Sequence, residues 1–166
     1  RIAKENGLPV IEGSEGGVKK IEEAKDLCKK IDKRLPTEEE WEKAVKGDKY
    51  YRYSWGNRFP VCDLANFNGD KGIGCGQEKR NKDNTKYGNL TRHVLKNPMG
   101  VSKIGALNLI GNVWEYVDNK LGSNDVITKG GGWSTELIGL NSSSRYVVSN
   151  QSRFSNVGFR CARSFN

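Results

Sequence analysis

After residue 50 the chain never sustains an apolar period long enough for a long helix or a wide sheet. Turn-forming clusters interrupt it: Trp55-Gly56-Asn57, Asn68-Gly69, Gly72, Gly74, Gly76, Tyr87-Gly88-Asn89 and Asn97-Pro98. Glycine and asparagine reach the backbone conformations that tight turns need, so such a chain folds around loops rather than around packed regular elements. Twenty of the 166 residues are glycine, well above a usual share of ~7%. The bulk for a core comes from 4 Trp, 6 Tyr and 5 Phe. They lift the sequence out of the disordered class despite its polarity. One domain over 1–166 is expected from the length.

The first fifty residues read differently. Val18, Ile21, Ala24, Cys28 and Ile31 recur at three- and four-residue steps, which predicts an amphipathic helix over 17–33. Leu35-Pro36 stops it, because the residue before proline avoids the helical region. Thr37 and Glu40 form a capping box for a second helix with Trp41, Ala44 and Val45 on its buried face and Gly47 at its end. Short strands are expected at about 112–117, 126–132, 143–148 and 157–163, with a turn at Asn124-Asp125. Two helices followed by loops and short antiparallel strands make an α+β domain.

Net charge is +8. Eight basic residues (Lys71, Lys79, Arg80, Lys82, Lys86, Arg92, Lys96, Lys103) against Glu78 and Asp83 crowd residues 71–103. They read as a solvated loop, with an anion-binding module as the alternative; apart from Tyr87 no aromatic residues interleave as in single-strand nucleic-acid sites, so nucleic acid is not the first choice of partner. No run of 18 apolar residues predicts a membrane-spanning helix, no targeting segment is visible, and a start at Arg1 suggests a fragment or a trimmed chain. Cys28 and Cys161 read as buried thiols; Cys62 and Cys75 flank one loop and suit a disulfide in an oxidising compartment. The single histidine, His93, sits in the basic stretch and reads as a surface residue. The four tryptophans read as large apolar anchors of a loop-rich domain.

Five segments in order resemble one family. Arg34-Leu35-Pro36-Thr37-Glu38-Glu39-Glu40-Trp41-Glu42-Lys43-Ala44 is similar to the R-L-P-T-E-x-E-W-E-x-A segment of formylglycine-generating-enzyme-like domains. Tyr53-Ser54-Trp55-Gly56 resembles their Y-P-W-G turn. Asn108-Leu109-Ile110-Gly111-Asn112-Val113-Trp114-Glu115-Tyr116 resembles N-x-x-G-N-V-W-E-W, Gly130-Gly131-Gly132-Trp133 resembles R-G-G-S-W, and Gly158-Phe159-Arg160-Cys161-Ala162-Arg163 resembles G-F-R-C-A-R. The resemblance runs over roughly 18–163 and implies an irregular C-type-lectin-like fold, with the family's opening strands largely missing. It also implies a calcium site using side-chain oxygens of Asn108 and Glu115 and carbonyls of Gly111 and Val113, a mixed oxygen set that suits this hard cation. The alternative is that Asn108 and Glu115 satisfy backbone groups of the loop. A second calcium site of the family would start at Asn66 and Phe67, but its acid falls near Lys86.

By the same resemblance, the catalytic cysteines of the enzymes fall at Thr135 and near Leu140, and neither is cysteine. Thiol oxidation chemistry needs those thiolates, so no catalytic residue is expected. Residues 133–156 instead mix Ser, Asn, Tyr, Val and Phe without a clear period, in a place similar to the variable region of diversity-generating retroelement target proteins. That likeness implies a non-enzymatic binding protein whose lectin-like scaffold displays a sequence-variable surface. The implied display positions are Trp133, Ser134, Thr135, Glu136, Ile138, Gly139, Ser144, Tyr146, Val147, Val148, Ser149, Ser152, Phe154 and Ser155. Tyr146 and Phe154 would be aromatic anchors, with Ser and Asn as adaptable hydrogen-bonding groups. The partner would be a protein or surface ligand, met at a cell surface or on a virus particle. The other reading is a formylglycine-generating-type oxidase or an inactive relative.

Overall fold

The protein was analysed as a computed structural model, which describes residues 20–69, 75, 91–120, 122 and 124–164. Helix α1 spans Ile21–Lys29. Its first turn is held by the Lys20 backbone N–H donating to Glu23 Oε2 at 3.0 Å. Val18, expected on the same face, lies outside the described residues. The helix closes earlier than the apolar spacing predicts: the Lys33 N–H returns to the Cys28 carbonyl, and Asp32 takes a left-handed φ of 56°. Ile31 therefore sits in the turn beyond the helix.

Helix α2 spans Glu38–Lys46. The capping box forms as expected, with the Glu40 N–H donating to Thr37 Oγ1 at 3.2 Å and the Thr37 N–H donating to Glu40 Oε2 at 2.9 Å. Gly47 caps the far end at φ 57°. Arg34 grips the same Glu40 carboxylate with two guanidinium bonds of 2.6 Å. That grip and the Thr37 N–H hold the Glu40 carboxyl down to about 2.

Four strands follow: β1 Trp114–Lys120, β2 Asp125–Lys129, β3 Arg145–Ser149 and β4 Val157–Phe159. They lie in the order β3-β2-β1-β4. The β1–β2 and β2–β3 pairs are antiparallel. The last pair corrects the expectation of an all-antiparallel set: β4 runs parallel to β1, with Trp114 opposite Val157 and Tyr116 opposite Phe159. Its strand direction follows from the route of residues 150–156 back across the sheet, which no local period encodes.

Strand alternation sorts the core into two clusters. Trp114, Tyr116, Val126, Val148 and Val157 pack with Ile21, Ala24 and Cys28 of α1 and with Leu35. Val117 and Ile127, of opposite parity, pack with Trp41 and Val45 of α2 and with loop residues Tyr53, Ala65, Phe67, Leu109, Ile110 and Leu140. More than half of this second cluster comes from loops, as the turn-rich sequence requires. Gly130, at φ 95°, shows why: a Cβ there would lie 2.3 Å from the Leu109 carbonyl oxygen and 2.9 Å from the Trp41 ring.

Two disulfides tie the fold. Cys62–Cys75 is the pair that the loop spacing suggested. Cys28–Cys161 overturns the reading of two buried thiols: it joins α1 to the chain just past β4 across a separation of 133 residues. All four cysteines are bonded. Among the described residues, no helix is long and apolar enough to cross a membrane.

A crosslink closing so long a loop restricts the unfolded chain strongly, so the paired change Cys28→Ser/Cys161→Ser should cost about 2–5 kcal/mol in urea unfolding. An unchanged urea midpoint would mean that the bond constrains little. The Glu40 carboxyl, held below its ordinary 4.5, stabilises the fold above its unfolded pKa and loses that contribution as pH falls toward 2. Glu40→Gln should therefore lower stability at pH 7 by no more than about 1 kcal/mol, the pair being solvent-screened, and the gap should close on acidification through that window.

Candidate functional site

The Gly-Asn-Val-Trp-Glu segment enters β1 through two residues in left-handed backbone, Gly111 at φ 80° and Asn112 at φ 70°. A Cβ at Gly111 would meet the Asn66 carbonyl oxygen at 2.6 Å, so only glycine fits there. Asn112 was not singled out from the sequence, yet its amide clamps two loops. Its Oδ1 accepts from the Arg92 N–H at 2.7 Å and from Asn66 Nδ2 at 3.1 Å, and its Nδ2 donates to the Arg92 carbonyl at 3.2 Å. The sequence signal was an asparagine after glycine at a strand entry, where left-handed backbone is tolerated.

Glu115 lies one residue into β1 and is buried, 4% exposed. Arg160 takes both its oxygens, Nε to Oε2 and Nη2 to Oε1, each at 2.6 Å. The Trp41 indole N–H donates to Oε2 at 2.8 Å. Asn108, the other side chain of the implied calcium set, donates its Nδ2 to the Val94 carbonyl at 2.7 Å. A cation here would have to displace a guanidinium from the only carboxylate of the set. As arranged, the Asn108 amide nitrogen and the Glu115 carboxylate both brace the protein's own loops and side chains. For the second calcium site, Asn66 and Phe67 are buried, and Lys86 lies outside the described residues.

Beside Glu115 lies its cross-strand partner, Lys129. This lysine is only 1% exposed. Its ammonium pairs with Glu42 at 2.7 Å and Glu38 at 3.3 Å, both from α2, and stands 6.0 Å from the Trp41 ring centroid. Glu42 also pairs with Lys46, and Glu38 with Arg145 at 3.2 Å. No sequence pattern marked Lys129, because a lysine in an alternating strand ordinarily faces water.

Residues 133–156 are pinned to this frame through their backbone. The Trp133 N–H donates to the Asn112 carbonyl at 2.8 Å, the Asn68 N–H to the Thr135 carbonyl at 3.0 Å, the Ser142 N–H to the Arg52 carbonyl at 2.8 Å, and the Trp114 N–H to the Asn156 carbonyl at 2.8 Å. Thr135 closes the turn with its hydroxyl, which accepts from the Gly132 N–H at 2.9 Å. Leu140 is fully buried. Between these ties, Ser134, Glu136, Ile138, Tyr146, Val147 and Ser155 are exposed. Ile138 is 83% exposed, and Tyr146, with its ring 5.5 Å from that of Trp114, is still 49% exposed.

The other expected display positions are less free. Val148 is buried at 4% and belongs to the α1-side cluster, because it shares a sheet face with Trp114 and Tyr116. Phe154 is half-buried and packs against the same cluster, which removes it as a free aromatic anchor. Trp133, Thr135, Gly139, Ser144, Ser149 and Ser152 are half-buried. A Cβ on Gly139 would meet Thr135 Cγ2 at 2.8 Å, so these two positions cannot vary independently. His93 is exposed, as expected, and its Nδ1 accepts from the Leu95 N–H at 3.3 Å. Of the basic stretch, Arg92, Lys96 and Lys103 are described and the rest lies outside the described residues.

Two helices on a small mixed sheet, with one of the two core clusters built mostly from loops, define a C-type-lectin-like domain. Similar solved structures share it: PvdO from Pseudomonas aeruginosa has a TM-score of 0.63 at 20% identity, covering 88% of this chain and 59% of that one. Treponema denticola variable protein 1 has a TM-score of 0.58 at 24% identity, covering 78% of this chain and 46% of that one. Residues 18–165 match the family model of the sulfatase-modifying factor enzyme 1-like domain. The chain belongs to that family. Among its relatives, the inactive C-alpha-formylglycine-generating enzyme 2 of Bos taurus is 29% identical over 149 residues, 84% of this chain and 47% of the relative. A hercynine oxygenase of Mycolicibacterium thermoresistibile is 36% identical over 92 residues, 53% of this chain and 17% of the enzyme. The chain thus spans less than half the length of these curated relatives.

Removing one side of a buried ion pair strands the other, so Arg160→Met should destabilise by about 3–5 kcal/mol in chemical unfolding, and the added change Glu115→Leu should recover part of it. With the carboxylate already neutralised, melting temperatures in millimolar calcium and in chelator should agree. A calcium-dependent rise abolished by Glu115→Ala would restore the ion site.

Proposed function

We propose that this domain is a non-enzymatic binding module that presents the surface of residues 133–156 to a protein or surface ligand. The observation that carries this reading is the division of labour within the segment. Its backbone is tied to the frame at Trp133, Thr135, Ser142 and Asn156, while the side chains of Ser134, Glu136, Ile138, Tyr146, Val147 and Ser155 face outward. A recognition surface needs such a rigid frame under side chains that change without unfolding the core. Tyr146 and Ile138 supply apolar contact area, and Ser134, Glu136 and Ser155 supply hydrogen-bonding rim.

Two further observations support a loss of the family's thiol chemistry. Thr135 and Leu140, at the positions that resemble the enzymes' cysteines, serve a turn and the core. The four cysteines present are all in disulfides. The likeness to a variable protein and to an inactive relative agrees with a display role. In this reading the segment is the target of a diversity-generating retroelement. The two disulfides favour an oxidising setting such as a cell surface or an exposed virus particle.

A library randomised at Ser134, Glu136, Ile138, Tyr146, Val147 and Ser155 should fold in most clones, with single changes worth about 0.5 kcal/mol or less. Phe154→Ala should cost about 2 kcal/mol, because the half-buried ring leaves a partial cavity. Sorting the library against a protein target should yield binders that keep the parent melting temperature. General collapse of the clones, or formylglycine formed by the pure protein on a cysteine-containing sulfatase peptide and detected by mass spectrometry, would overturn the reading.

A further inference from the structure

A cleft of about 460 Å³ opens between the end of α2 and the link into β3, lined by Lys46, Tyr50, Arg52, Asn141, Ser142 and Ser143. That volume lies within the range of small-ligand sites. We propose that it binds an anionic saccharide, a sugar bearing a carboxylate or a sulfate. The site uses none of the six exposed display positions, and only Asn141, Ser142 and Ser143 of its lining belong to residues 133–156.

Charge makes the cleft anion-seeking. On this side of the molecule Lys129 and Lys46 pair with Glu42, and Lys129 and Arg145 pair with Glu38. Four cations, with Arg52 counted, therefore face two carboxylates. Arg52 is the surplus: its guanidinium has no carboxylate partner among the described residues and lies 5.6 Å from the Tyr53 ring centroid. A guanidinium presents a planar fork of donors that matches a carboxylate or sulfate edge. Held over an aromatic face, it is oriented without being neutralised.

The remaining lining suits a sugar. The exposed Ser143 hydroxyl and the half-buried Asn141 amide nitrogen make no hydrogen bond within the described residues, so they are available to ring hydroxyls, with the buried Ser142 behind them. The backbone of this wall is already fixed, with the Ser142 N–H on the Arg52 carbonyl and the Ser143 N–H on Asn141 Oδ1. Tyr50 closes the rim. It ends the 3-10 turn Gly47–Lys49 in left-handed backbone at φ 55°, an uncommon conformation for an aromatic residue, and the residue is 82% exposed. An aromatic ring held out beside a cationic, hydroxyl-lined cleft offers a flat apolar surface to the C–H face of a pyranose.

Calorimetric titration of the intact protein with a galacturonate trisaccharide and, separately, with a sulfated chondroitin disaccharide tests the assignment and tells carboxylate from sulfate. Saturable binding of at least one is expected, while a neutral cellodextrin of the same length should bind at least about tenfold more weakly, having no partner for the guanidinium. Arg52→Gln should weaken binding by about tenfold or more, and Tyr50→Ala should weaken it without changing the acid preference. Arg163→Gln, an equal charge change at an exposed residue elsewhere, should leave binding unaltered. In the wild-type protein, amide shifts at Asn141–Ser143 should move on titration, a readout that does not depend on how the Arg52 variant folds. No saturable binding of either acid, equal losses in the Arg52 and Arg163 variants, or hexaglutamate binding as tightly as the sugars would overturn the proposal.

Discussion

Glu115 places an ionised carboxylate between β1 and α2, where water barely reaches it, and Arg160 arrives from beyond β4 to neutralise it with two short bonds. Taking a charge out of water costs several kcal/mol unless a partner of good geometry accompanies it. The fold is therefore constrained to bring three distant pieces of chain together: the strand bearing Glu115, the helix whose Trp41 donates to it, and the terminal segment bearing Arg160. Arg160 also donates to the Leu107 carbonyl at 2.9 Å, which ties in the loop before β1. Lys129 repeats the device one strand over, paired in register with Glu115 and answered by Glu38 and Glu42 of α2. Helix α2 is thus seated on the sheet by ions and by Trp41, which touches both. Apolar contacts fill the space between. Ion pairs of this geometry set register and orientation where a loop-built core supplies few regular elements to do so.

Much of this was written locally in the sequence. The capping box at Thr37 and Glu40 needs only residues three apart, and it formed where expected. The four strands fell close to their expected positions, because branched and aromatic runs bounded by glycine are also local. What stayed hidden was pairing across the chain. The direction of β4, the partner of Cys28 and the partner of Glu115 all depend on residues from 43 to 133 positions away, and spacing carries no such information. Glu115 illustrates the cost: beside Asn108 in one short motif it suggests oxygen ligands for a cation, and nothing local shows that the Arg160 guanidinium takes both its oxygens.

The segment of residues 133–156 divides along similar lines. Its place between two glycine-rich frames was legible, and so was its lack of a period. The split between exposed and buried members was not. Strand β3 is an edge strand whose pleat turns Tyr146 and Val148 toward the α1-side cluster and Arg145 and Val147 away from it. Tyr146 lies where that cluster thins out over Trp114, while Val148 lies deeper. Two residues of one face thus have opposite tolerance to change, a distinction set by depth under α1 and not by residue type.

The bond between Cys28 and Cys161 closes the polypeptide into a covalent ring that contains every strand, helix α2 and the smaller ring made by Cys62 and Cys75. A protease that cuts once anywhere inside that ring opens it without releasing a fragment, since both new ends remain attached through the sulfurs. The cut halves also stay at high effective concentration, so the buried ions can re-form their pairs after local opening. A domain of this kind can be nicked once inside the ring and still hold residues 133–156 against the rest of the fold.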